Sequence, residues 1–197
     1  MKRTTSKKPM QTAAVYCEPR IRTYGFHVVT DLCFMGFLCE SEQLAALGRG
    51  IEELGDVETG FTLVFGQTSK DHVFSLFVLA HERVKGKIGN HMQRLLKGED
   101  LGPLELPSPV EVVSFQGPHF GDRYGIAHAV FSALQSVSMP LLAAVCSTAC
   151  VYLVFPQGKG GEAKRVLEGT FELPGIRRAK KNQGEGKQPC VKPKTSI

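Results

Sequence analysis

No stretch of this sequence approaches the ~20 consecutive apolar residues that a bilayer-crossing helix needs. Met1–Pro9 carries cations with no apolar segment behind them, so it does not read as a secretory leader. No cysteine belongs to a Cys-x-x-Cys pair: the six lie at 17, 33, 39, 146, 150 and 190. Most sit inside apolar runs, where a free thiol behaves as a small hydrophobe. A cytoplasmic chain with reduced cysteines and no membrane partner is the expectation. Positive charge is missing where a nucleic-acid reader would carry it. Residues 1–9 hold four Lys/Arg and no acid, and residues 175–197 hold seven with one Glu. Against +5 for the whole chain, the body from 10 to 174 is left at −5. Such a reader shows its basic footprint on the folded surface, so nucleic acid is not the expected partner.

Catalytic signatures are absent too. His119, Asp122, His128 and Cys146 are too scattered for the tight geometry of zinc, and no His-x-x-x-His pair anchors them. The six histidines form no nucleophile, base and orienter set. Gly158-Lys-Gly-Gly161 lacks the spacing and the Lys-Ser/Thr of a phosphate loop. Neither an enzyme nor a metal or cofactor site is expected.

What is present suffices for a core. The chain has 197 residues, 42% hydrophobic and 22% charged, room for one ordinary domain or two of about 70–80 residues. Residues 1–9 and 174–197, rich in Lys, Gly, Gln, Pro and Thr, read as disordered basic tails. Thr12–Cys17 reads as a short strand, and Arg22–Leu32 as a longer one. Ser41 is a candidate N-cap for a helix to about Leu54, with Leu44, Leu47, Ile51 and Leu54 as its stripe. Between them, Phe34, Met35, Phe37 and Leu38 read as an apolar loop that packs against another subunit or the other half of the chain. Phe61–Phe65 and His72–Leu79 are strands joined through Gln67–Asp71. Glu82–Leu96 is a helix with Val84, Ile88, Met92 and Leu95 on one face. Leu104–Leu106, between prolines, has room only for an edge strand.

Lys97–Pro109 separates this half from a second of the same grammar: strand 110–116, helix 126–136, strand 141–147, strand 149–155, helix 161–171. The fold class this predicts is α+β, with two ferredoxin-like βαββαβ units in tandem, 20–106 and 110–173. The second unit has no closing strand of its own, because Pro174 and the basic tail follow Phe171. An early strand, within 10–19 or its neighbours, is expected to fill that place and interlock the units.

Three segments resemble the ACT domain, and most of all the C-terminal regulatory ACT pair of aspartate kinases. Val112-Val-Ser-Phe-Gln-Gly117 is similar to the family's first strand and its glycine. Asp122-Arg-Tyr-Gly-Ile-Ala127 resembles the turn that opens the first ACT helix, and Ala144–Phe155 the paired strands around the family's Ser/Thr. About 60 residues carry the likeness; over Arg20–Leu106 it rests on element order. The kinase portion, with its Lys-x-Gly-Gly nucleotide site, is missing.

The resemblance implies a non-catalytic regulatory protein that binds a small amino acid or related carboxylate at the strand-to-helix turn. It also implies a homodimer acting on a regulated protein partner. A helix N-terminus, with its unpaired N–H groups, suits such a carboxylate. The candidate ligand residues are Gln116, Gly117, His119, Phe120, Gly121, Asp122, Tyr124, Gly125, Ile126 and Ala127, within a Gln116–Ala127 turn, with the stretch from Leu142 to Ser147 as a wall, Leu142 and Ser147 foremost. Asp122 either meets a cation or caps the helix. The chain departs from the family at Phe120-Gly-Asp122, where Met-Arg-Ser is common, and at Leu141 and Leu142, where Gln or Asn is. Such a pocket favours an apolar ligand or none. The rival readings are a ligand-free ACT scaffold for oligomerisation and a nucleic-acid adaptor acting through the tails.

Overall fold

The computed structural model describes residues 20–55, 60–68, 73–96 and 103–173. The elements run β1 (Gly25–Glu40), α1 (Leu44–Leu54), β2 (Phe61–Thr68), β3 (Val73–His81), α2 (Lys85–Leu95) and β4 (Pro103–Leu104). They continue with β5 (Val110–Gln116), α3 (Ile126–Gln135), β6 (Ala143–Cys146), β7 (Cys150–Pro156) and α4 (Gly160–Thr170). All strand pairs between these elements are antiparallel, in the order β2-β3-β1-β5-β7-β6, with β4 also on β1. The class is α+β.

At 16 residues β1 is unusually long, and it organises the fold. Its first half pairs with β5, from Gly25↔Gln116 to Leu32↔Val110. Its second half pairs with β3, from Leu32↔His81 to Glu40↔Val73. The change of partner coincides with a bulge between Val29 and Leu32, where Asp31 takes a left-handed φ of 57°. The apolar loop expected at Phe34–Leu38 is therefore strand. Cys33, Phe37 and Cys39 pack toward α1 and α2, while Leu32 and Phe34 pack on the opposite face. A strand buried on both faces shows no alternation, so its sequence does not announce it.

On the edge away from β7, β5 pairs with Gly25–Leu32. A parallel bridge, Arg22↔Glu172, ties the chain just before β1 to the end of α4, with an ion pair of 3.3 Å between exposed side chains. The expected strand at Thr12–Cys17 and both basic tails lie outside the described residues, as does most of the Gln67–Asp71 connection.

Other boundaries shift slightly. The first helix starts with a 3-10 turn, Ser41–Gln43, so the N-cap of α1 is Gln43 and not Ser41. The Gln43 side-chain oxygen reaches back to accept from the Glu40 N–H at 3.1 Å. Leu47 and Leu54 are buried as the stripe predicts, but Leu44, in the first turn, is exposed. The second helix likewise begins as a 3-10 turn, Glu82–Val84.

The one-residue bulge in β1 keeps the same sheet face toward the helices on both sides of it. All four helices therefore cover one face. Under α3 and α4 lies a cluster with Val113, Phe115, Val130, Leu153, Phe155 and Leu167. Phe115 gathers Phe26, Phe120 and Phe171 around it at centroid distances of 4.8, 5.8 and 5.2 Å. Each such pair adds ~0.5–1.5 kcal/mol beyond its burial. A second cluster under α1 and α2 is built on Phe37, Leu47, Val78, Ile88 and Met92. A third, with Leu32, Phe34, Leu79, Val110, Val112 and Val154, lies on the opposite face.

Among the described residues Thr23, Ser75 and Glu111 are the buried polar ones, and Glu111 reaches across to a helix. Glu111 is buried on β5, and its carboxylate accepts from the Gly160 N–H at the start of α4. Gly158–Gly161 thus leads into a helix N-terminus that the chain fills with its own anion. An N-terminus already facing a carboxylate is poorly suited to a phosphate. Among the described residues no helix is long and apolar enough to cross a membrane.

Candidate functional site

The turn between β5 and α3 is built by packing. A Cβ on Gly117 would fall 2.2 Å from the Arg22 carbonyl oxygen and 2.4 Å from the Phe120 ring, so only glycine fits. His119 takes a left-handed φ of 63°, and its carbonyl accepts from the N–H groups of Asp122 and Arg123 at 3.0 and 2.9 Å. Gly125, at φ 89°, is the N-cap of α3, and no side chain caps that helix. The capping role considered for Asp122 is therefore not taken. The first-turn N–H groups of a helix have no intrahelical partner, and here they are not screened by a capping side chain.

Beside this turn lies a cavity of about 260 Å³. From the helix side Phe120, Arg123, Tyr124, Gly125, Ile126 and Ala127 line it, and from the β6–β7 hairpin Cys146, Ser147 and Val151. Phe120 and Ile126 are buried, whereas Tyr124 is 97% exposed at the mouth. Cys146 is exposed overall, and partial desolvation raises its thiol above its ordinary value. The Ser147 hydroxyl donates to the Cys150 carbonyl at 3.1 Å and accepts from the Cys150 N–H at 3.0 Å. Its polar capacity is spent holding the hairpin turn. Arg123 is the cation among the described lining residues.

The structure thus brings together six of the predicted residues: Phe120, Tyr124, Gly125, Ile126, Ala127 and Ser147. Gln116 lines a different groove, formed by the ends of β1, β5 and β7. Leu142 packs with the third cluster, on the sheet face away from the helices. Gly117, His119, Gly121 and Asp122 shape the turn without lining the cavity among the described residues. Arg123 lies within the predicted turn and Cys146 within the predicted wall from Leu142 to Ser147, though neither was singled out, and Val151 was outside both. Arg123 sits inside the Asp-Arg-Tyr-Gly turn already singled out. Cys146 faces Val151 across the hairpin ladder, so strand alternation was the signal for that pair. Among the described residues no three His, Cys, Asp or Glu side chains gather in a way that holds a metal ion.

The curled antiparallel sheet with four helices on one face is a fold shared with solved structures. Specifically, the chain has the fold of the regulatory subunit of aspartate kinase. The Thermus flavus subunit matches at a TM-score of 0.65 and 13% identity, over 77% of this chain and 99% of that one. The ligand-free subunit from Thermus thermophilus matches at 0.63 and 13%, over 76% and 99%. Escherichia coli aspartokinase III, in complex with lysine and aspartate, matches at 0.51 and 12%, over 80% of this chain and 35% of that one. No protein-family profile and no curated protein sequence matches.

Proposed function

We propose that this chain is a non-catalytic regulatory module that binds a small apolar amino acid, or a related aliphatic carboxylate, in the cavity at the start of α3. The observation that carries the reading is the cavity's position. It opens at an uncapped helix N-terminus, in a fold similar to that of aspartate kinase regulatory subunits. The ligand carboxylate would lie against the first-turn N–H groups of α3, with Arg123 as its cation. Phe120, Ile126, Ala127, Cys146 and Val151 would enclose an aliphatic side chain. Among the described lining residues no carboxylate is present to meet a second ammonium, so lysine is disfavoured. Gln116 and Leu142 are left out because they face other surfaces.

The same reading takes the architecture as two interlocked βαββαβ units. The order β2-β3-β1-β4 supports the first, and β6-β7-β5 followed by the first half of β1 supports the second. Homodimerisation in the cytoplasm, and control of a partner protein, belong to this proposal. The outer strands β2 and β6 offer the sheet edges for it.

A thermal-shift series against the twenty amino acids tests the idea. Ligand at ten times its Kd stabilises by about 1.4 kcal/mol, which is a rise of about 3–6 °C for a domain of this size. An apolar amino acid should give it, and Ala127→Leu, placed at the exposed rim, should abolish it. If no amino acid at millimolar concentration moves the midpoint, the ligand-free oligomerisation scaffold is the better reading.

A further inference from the structure

On the other face of the sheet, the register of three strands assembles a second constellation. Phe26, Phe115 and Val151 turn into the cluster under the helices. Their strand neighbours therefore face away from it. Gly25 pairs with Gln116, which pairs with Cys150; one row along, His27 pairs with Ser114, which pairs with Tyr152. A groove of about 470 Å³ lies over these two rows, within the ~300–1,000 Å³ span of small-molecule sites.

We propose that this groove is a second binding site, for a neutral heteroaromatic ring of nucleobase or nucleoside size carrying hydrogen-bond donors and acceptors. Three features point to that class. First, the row position at Gly25 is empty: a Cβ placed there would find no atom within 4 Å. A flat ligand can therefore approach the backbone. Second, aromatic rings stand at both ends. Tyr24, 63% exposed, precedes β1, and Tyr152 is half-buried on β7. Such rings offer stacking faces at low entropic cost. Third, the floor carries hydrogen-bonding groups without a carboxylate, ammonium or guanidinium among the described lining residues. Ser114 and the Gln116 amide each supply a donor and an acceptor, and the His27 imidazole adds ring nitrogens. The Tyr152 hydroxyl, its pKa raised above the ordinary value by its hydrogen bond to Cys150, keeps lone pairs with which to accept. Among the described lining residues there is no Asp, Glu, Lys or Arg. A phosphate or a zwitterion would lose hydration there without an ionic partner.

The groove and the α3 cavity share no lining residue, so either can fail without the other. The test is a titration of the full chain with adenine, adenosine and AMP to millimolar concentration, followed by backbone amide NMR. Adenosine should give saturable shifts at Gly25, His27, Ser114 and Gln116. Adenine shows whether the ring alone suffices, and AMP should bind no more tightly than adenosine. Gln116→Ala, at an exposed strand end, should weaken adenosine about fivefold for one lost hydrogen bond. Ser114→Ala serves if that variant does not fold. Absence of saturable shifts with all three ligands overturns the proposal. So do shifts confined to other surfaces, clearly tighter binding of AMP, or unchanged affinity in a folded Gln116→Ala protein.

Discussion

Replacing Glu111 with alanine, alone and together with a substitution at Gly160, isolates the one buried carboxylate that ties β5 to α4. Glu111 is 8% exposed, and its carboxylate accepts from the first N–H of the helix. A hydrogen bond to a charged group contributes ~1.5–3 kcal/mol. A carboxylate at a partly buried helix N-terminus adds up to about 2 kcal/mol. The cost of keeping Glu111 out of water offsets part of this, leaving a net loss of about 2 kcal/mol for Glu111→Ala. For a domain of this size that is a fall in Tm of about 4–8 °C. Glu111→Gln keeps an acceptor and should lose about half as much.

Gly160 makes the test sharper. An alanine normally stabilises a helix over glycine by up to ~1 kcal/mol. Here its Cβ would stand 2.7 Å from a Glu111 carboxylate oxygen and 3.0 Å from a Val28 methyl. Gly160→Ala should therefore cost ~1–3 kcal/mol in the wild-type background. With Glu111 already truncated, most of that collision is gone, so the two substitutions should couple by about 1–2 kcal/mol. Urea unfolding followed by far-UV circular dichroism gives the four free energies. Additivity within ~0.5 kcal/mol would refute the contact as the cause.

Two further outcomes are expected. Burial pushes the Cys33 thiol above its ordinary 9.0. A raised folded-state value favours the native state below the unfolded pKa, and that stability is lost as pH rises through the folded one. The urea midpoint should fall between about pH 8 and about pH 10, and less so in Cys33→Ala; equal slopes in the two proteins would sink this assignment. At the bulge, Asp31→Val should cost ~1–2 kcal/mol while Asp31→Gly is tolerated, because a β-branched residue resists φ 57°. Equal unfolding midpoints for the two variants would contradict that account.

Local pattern made much of the fold legible. Both helix–strand–strand–helix runs were readable from periodicity, because Ile88 and Met92 on α2 or Val130 and Leu134 on α3 recur at helical spacing on one buried face. The second half of β1 was not readable. Both of its faces are apolar, and nothing within Cys33–Cys39 distinguishes such a strand from a buried loop. The turn at 117–125 could be located by its glycines, but their reasons differ. Gly117 is required by the Arg22 carbonyl and the Phe120 ring, whereas Gly125 carries the left-handed cap of α3. The residues that line the cavity depend on how the hairpin leans on that turn, so Val151 entered only with the fold.

By itself, the sequence determined the alternation of helix and strand, the acidic body between two basic ends, and the likeness of Val112–Phe155 to a regulatory domain. Composition, periodicity and short motifs are properties of neighbouring residues, and neighbouring residues carry them. Tertiary structure alone decided that one long strand serves both halves of the sheet, with Asp31 at the change of partner. It also decided that Glu111 fills the N-terminus of α4 while that of α3 stays uncapped beside a cavity. Those outcomes depend on pairing register and on which side chain meets which helix end across tens of residues of chain, and no local pattern encodes that meeting.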